Sequence, residues 1–170
     1  MHNLIQWRDG AARVEDDDWV LATDPALLAP SAGVVLPWAL LRDDASLASR
    51  FARLGIALAP ADDPAAIAPW FDRVQLIAIE FPNFADGRGY SSAALLRGRL
   101  GWKGDLRAVG DVLRDQLFYL RRVGFSSFAV RADRSAHDAV LAFADFSDSY
   151  QASIEPATPL YRRPYAGVGT

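Results

Sequence analysis

Cysteine is absent from the 170 residues of this chain. Its absence excludes a disulfide framework, a thiolate nucleophile, a zinc ribbon and any cysteine-ligated iron–sulfur cluster. Histidine is nearly as scarce, with only His2 and His137, and neither a serine–histidine–acid arrangement nor a histidine ligand spacing is visible. No metal and no cofactor is assigned. Long apolar runs are missing too. No stretch approaches the ~18 residues that a membrane span needs. The start, Met1-His2-Asn3-Leu4-Ile5-Gln6-Trp7-Arg8-Asp9, carries no basic segment leading into an apolar run, so no signal peptide is read and a cytoplasmic protein is expected. Excess positive charge is lacking as well. With 18 Lys and Arg against 21 Asp and Glu, the net charge is −3, a field that does not attract nucleic acid.

What is present is a globular composition, 51% hydrophobic and 23% charged, which suffices for one buried core. Residues 3–8 and 18–22 read as a small antiparallel β pair at the N-terminus, separated by a polar turn region. From residue 33 onward, strand and helix patterns alternate. Strands are expected at Val34–Leu36, Ile56–Ala59, Val74–Ile79, Asp105–Val109 and Phe125–Arg131. Leu47, Phe51 and Leu54 have helical spacing, and Gly55 fits the left-handed residue after a helix end. Further helices are expected from Asp62 or Asp63 to Phe71, over Tyr90–Leu100, over Asp111–Val123 closed by Gly124, and over Ser135–Phe146. These strands are apolar on both faces, as in a parallel sheet buried by crossover helices. The expectation is a single α/β domain over 1–146 with about five mainly parallel strands, doubly wound or half-barrel-like. Residues 147–170, with Pro156, Pro159 and Pro164 and no periodicity, read as an irregular arm.

Ligands of parallel sheets bind beyond the carboxyl ends of the strands. That rule selects Trp38, Asp62, Asp63, Glu80, Gly110, Asp111, Arg131 and Asp133, and directs attention to the loop from Glu80 to Ser92. Glu80 closes an apolar strand and is the candidate base, with Asp86 as an orienting carboxylate. The alternative is a structural ion pair. Asp86-Gly87-Arg88-Gly89 lacks the spacing and position of a dinucleotide fingerprint. It retains two glycines, one guanidinium and the hydroxyls of Tyr90 and Ser91 near a helix start, which suit a small oxyanion such as sulfate, sulfite or phosphate. A plain capped turn is the competing reading. Arg107 and Asp111 complete the expected ligand set. Arg97 and Arg99, two apart, point in different directions on a helix. Arg99 is the expected partner contact, joined by Tyr161 and Arg162 of the arm.

The run FPNFADGRGYSSAALLRGRLGWKGDLRAVGDVLRDQLFYLRRVGFSSF, residues 81–128, closely resembles the bacterial domain-of-unknown-function family 934, above all in DGRGYS and GDLRAVGDVLRDQL. The resemblance covers most of the chain. It implies an association with sulfite assimilation, because family members are typically encoded beside sulfite reductase and carry the labels of oxidoreductase or accessory protein. It implies no catalytic residue. The chain cannot be the sulfite reductase itself, which needs siroheme and a cysteine-bound cluster. Two classes therefore stand. One is an accessory protein that binds sulfite reductase or a neighbouring sulfur-assimilation enzyme. The other is a small enzyme acting on a sulfur oxyanion or phosphorylated metabolite, with Glu80 as base and Arg88 as anion clamp.

Overall fold

The alternation of apolar strand segments with helical turns resolves into one eight-stranded sheet in the computed structural model, which describes residues 4–22, 24 and 33–143. The strands are β1 (Leu4–Arg8), β2 (Ala11–Glu15), β3 (Trp19–Leu21), β4 (Gly33–Pro37), β5 (Arg53–Leu58), β6 (Leu76–Phe81), β7 (Asp105–Gly110) and β8 (Ser127–Ala129). They lie in the order β2-β1-β8-β7-β6-β5-β4-β3. From β3 to β8 every neighbouring pair is parallel and sequential. Sequential parallel strands joined by right-handed crossovers carry all their connectors on one face, so the architecture is half-barrel-like and not doubly wound.

The two faces differ accordingly. On the helical side Leu36, Ile56, Ile77, Ile79, Phe81, Leu106 and Ala108 join one large core with Ala93, Leu96, Leu117 and Leu120 from the helices. On the other, Val35, Leu76 and Ala78 form a small cluster edged by Trp19, Ala57 and Val109. The helices are short: α1 (Trp38–Asp43), α2 (Arg88–Gly98), α3 (Leu117–Arg122) and α4 (Ala136–Ala139), with 3₁₀ turns at Ala45–Arg50, Pro64–Trp70, Arg114–Gln116 and Val140–Phe143.

Topology forces the sheet to curl. The edge strands β2 and β3 stand seven strand spacings apart in an eight-stranded order, roughly 34 Å if the sheet were flat. Only Asp16, Asp17 and Asp18 connect them, and the four steps from Glu15 to Trp19 span at most about 14 Å. The two edges are therefore drawn together around the face that bears none of the described helices, which becomes concave.

Several local expectations are corrected. An N-terminal β pair exists, but β1 pairs with Ala11–Glu15, and residues 19–21 lie at the far edge beside β4. Gly55 does not end a helix. It sits inside β5, where a Cβ would stand 3.1 Å from the Leu76 carbonyl oxygen and 3.2 Å from a Val35 methyl. The preceding helical turn stops at Arg50, because Phe51 is extended and Leu54 is drawn into pairing with Val34. The expected helix from Asp111 begins only as a 3₁₀ turn at Arg114, since Asp111 is engaged elsewhere. Ser135 caps α4 by accepting from the Asp138 amide at 3.2 Å, and Gly124 takes φ +107 after α3. The expected arm, 147–170, lies outside the described residues.

Candidate functional site

The loops beyond β6, β7 and β8 meet at one carboxylate. Asp111 follows Gly110 at the end of β7, and its backbone N–H donates to the Phe81 carbonyl at 2.7 Å. One carboxylate oxygen accepts from the Phe84 amide at 2.9 Å and the other from Arg131 Nη1 at 2.7 Å. Arg131 also donates through Nε to Asp133 at 2.6 Å. Asp111 thus fastens three loops to one another, and the hydrogen bonds to Asp133 and then Asp111 hold the Arg131 guanidinium above its ordinary pKa.

The glycine-flanked segment is closed on itself. Asp86 accepts from the Arg88 amide at 3.1 Å, from Arg88 Nε at 3.0 Å and from Nη2 at 2.6 Å. The Asp86 side chain is only 8% exposed, against 61% for Arg88. Hydrogen bonding to Arg88 lowers the Asp86 pKa and raises that of the guanidinium. The position at the start of α2 expected to receive an oxyanion therefore already holds this carboxylate. Gly89 serves packing: a Cβ there would come within 2.5 Å of the Phe81 ring. Gly87 has open space. Tyr90 stacks edge-on against Phe81 at 5.4 Å. Burial raises its pKa, and its hydroxyl reaches Gln116. Ser91 is exposed on the first turn of α2.

Glu80 is exposed, although it lies on a central strand, because it points to the concave face opposite Ile79 and Phe81. It pairs in register with Val109, while Ala78 pairs with Arg107. Glu80 and Arg107 therefore share that face one pleat apart. Arg107 is turned away to a different network. It is 5% exposed, donates through Nη1 to Asp17 at 2.8 and 2.9 Å and through Nε to Ser127 at 3.2 Å, and lies 3.6 Å from Asp105. Among the described residues, Arg88, Arg99 and Arg107 share no carboxylate. Arg99 is exposed at the C-terminal end of α2. Tyr161 and Arg162 lie outside the described residues.

Sequence reasoning missed two constellations. The first is Arg97, whose Nε donates to the Gly124 carbonyl at 2.8 Å while Nη1 donates to those of Trp102 and Gly104, each at 2.8 Å. The opposed directions expected of Arg97 and Arg99 hold, with Arg97 as an internal staple. The second is the concave network. Asp105 accepts from both Ser126 and Ser127 hydroxyls, at 2.6 and 2.8 Å, while Asp18 takes both Arg53 Nη atoms and has its pKa lowered chiefly by that bond. Arg53 in turn lies over the Trp19 ring at 4.7 Å. Beside these groups is a cleft of about 270 Å³ bordered also by Gln6 and Gln75. The triple aspartate was the visible signal; its partners 35 and 90 positions away were not.

Among the described residues no group of three or more His, Asp or Glu is arranged to hold a metal. No helix there is long and apolar enough to cross a membrane. A family model described as bacterial protein of unknown function (DUF934) matches residues 55–161. The chain belongs to this family. Neither a curated protein nor a solved structure matches it. The DUF934 match begins inside β5 and takes in Glu80, the Asp86–Arg88 pair, Arg107 and the Asp111–Arg131 fastening. It leaves out Asp17, Asp18 and Arg53. In this DUF934 chain the concave network is consequently assembled across the boundary of the matched segment, whereas the carboxyl-edge loops lie wholly within it.

Proposed function

We propose that this chain is a non-catalytic, cytoplasmic accessory protein of assimilatory sulfite reduction, which binds an enzyme of that pathway and takes a small sulfur oxyanion at most as a weak ligand. The pathway rests on the family resemblance and what it implies. The observation that carries a binding role over catalysis is the state of the guanidinium groups. Arg88, Arg107 and Arg131 each hold a carboxylate of their own chain. An anion clamp loses most of its pull once its cation is neutralised in place. Exposed Arg99 and exposed Tyr119 supply residue types that anchor protein interfaces.

The test is affinity purification of the tagged chain from cells growing on sulfate. Sulfite reductase is expected in the eluate, and its recovery is expected to fall sharply for Arg99→Glu. Absence of the reductase from the wild-type eluate, or undiminished recovery with the variant, would count against the proposal.

The exposed carboxylate of Glu80 on a central strand favours a second reading, a small enzyme using it as base. Complementation of a deletion strain on sulfate as sole sulfur source separates the two. Rescue by Glu80→Gln removes the base; failure of a variant that melts like wild type supports the enzyme.

A further inference from the structure

The loop that leads from the end of α2 into β7, residues 98–104, ought to be slack, because three of its seven residues are glycine. It is instead pinned from within. Arg97 donates through Nη1 to the Trp102 and Gly104 carbonyls, both at 2.8 Å. Trp102 is 3% exposed. Its indole N–H donates to the Asp105 carbonyl at 3.0 Å and its backbone N–H to the Leu96 carbonyl at 2.9 Å, while its ring lies 5.0 Å from that of Phe71. Gly101 takes φ +76 to make the turn, and a Cβ on Gly104 would strike the Trp102 ring. What this frame leaves in solvent is Gly98, Arg99, Gly101 and Lys103.

Charge sets this loop apart. Residues 88–122 hold eight Arg and Lys against three Asp, in a chain whose totals are 18 against 21. Most of the eight are engaged within the molecule: Arg88 and Arg107 with carboxylates, Arg97 with carbonyls, Arg121 over the Trp7 ring and Arg122 over that of Phe118. Arg99 and Lys103 are exposed, and among the described residues neither donates to a carboxylate. Four chain steps separate them, at most about 14 Å of backbone, so both can reach one cluster of opposite charge. A single exposed ion pair contributes little, so a small free anion would be held only weakly. Several carboxylates fixed on one surface engage both cations together. An extended nucleic acid is disfavoured for a different reason: the rest of the chain carries ten basic residues against eighteen acidic ones and repels it. Because the loop is ordered in advance, little conformational entropy is lost on docking. We propose that the loop of residues 98–104 docks, through Arg99 and Lys103, onto a carboxylate-rich surface of a partner protein. This gives the binding role argued above its contact chemistry, and it rests on that role.

Titration of the whole chain with poly-L-glutamate at low ionic strength, followed by amide chemical shifts, tests the loop itself. The amides of Arg99, Gly101 and Lys103 are expected to shift saturably. Lys103→Glu is expected to weaken that binding about tenfold, by removing one attraction and adding a repulsion. Arg42→Glu, an equal charge change at an exposed position of α1, should leave it unaltered. Both residues lie outside the core, so both variants should melt like wild type. Absence of a saturable shift in the loop, or binding by Lys103→Glu equal to that of wild type, would overturn the proposal. A single-stranded oligodeoxynucleotide that shifts the same amides at lower concentration would overturn it in favour of nucleic acid. Capture of sulfite reductase separates the loop from the reading it rests on. Equal recovery of the reductase with wild type and Lys103→Glu would keep the binding role and overturn the loop as its contact. Poly-L-glutamate binding at the loop of a chain that captures no reductase would support the loop and remove the named enzyme as partner.

Discussion

Replacing Arg107 with methionine is expected to cost about 3 kcal/mol of folding stability, the range found when one partner of a buried ion pair is removed. Its side chain is 6% exposed, and the carboxylates it faces are themselves partly covered, Asp17 at 31% and Asp105 at 20%. Without the guanidinium, Asp105 keeps the two serine hydroxyls but loses the positive charge 3.6 Å away. Asp17 loses the bond that holds the β2–β3 connector across the concave face. The damage should therefore be spatially specific. Amide exchange should accelerate at β2 and β3, the edges that connector draws together, before it accelerates at β6. Asp17→Asn should cost less, because Asp17 is nearer solvent and Asp105 still compensates Arg107. Urea denaturation of the two variants checks the order. An Arg107→Met midpoint within about 0.5 kcal/mol of wild type, the usual surface scatter, would mean that the network is solvated and does not clasp the sheet.

That network also shows where legibility in the sequence ends. β6 was plain because Leu76–Ile79 is a run with no competing pattern, and β7 because Asp105 and Gly110 punctuate it. The half-barrel alternative was open but undecided: winding depends on which strands become neighbours, and local periodicity does not record that. The error at residues 3–8 and 18–22 has the same root. Both segments are strands, but the one between them, Ala11–Glu15, alternates too weakly to announce itself, so the wrong two were paired. At the candidate site, the segment expected as a loop from Glu80 to Ser92 is one only over residues 82–87: Glu80 and Phe81 still belong to β6, and Arg88 already opens α2. What its residues do there turned on side-chain pairing. Asp86 and Arg88 stand two apart, and nothing in that spacing says that the carboxylate closes over both the amide and the guanidinium. Asp111 was expected to open a helix, and it became a fastening because Arg131 and the Phe84 amide reach it first.

The glycines of the same region give the other large effect. Gly110→Ala is expected to destabilise the chain by about 3 kcal/mol, combining a left-handed backbone, roughly 1–2 kcal/mol for a residue with a Cβ, with the 1–3 kcal/mol typical of overpacking. Gly110 has φ +96, and an added Cβ would lie 2.4 Å from the Phe81 carbonyl oxygen. That oxygen belongs to a central strand and accepts from the Asp111 amide, so it cannot retreat without breaking the connection that positions Asp111. Gly89→Ala meets the Phe81 ring at 2.5 Å, a side chain packed against Tyr90 and Phe125, and should cost an intermediate amount. Gly87→Ala meets nothing within 4 Å at an ordinary φ of −80, so it should be neutral or slightly stabilising. Thermal and urea unfolding of the three variants establishes the order. If packing explains these glycines, Gly87→Ala leaves pathway function untouched while Gly110→Ala removes it through unfolding. If backbone approach to a bound oxyanion explains them, Gly87→Ala abolishes function in a protein that is fully folded, and the self-closed Asp86–Arg88 pair would then have to open to admit the ligand.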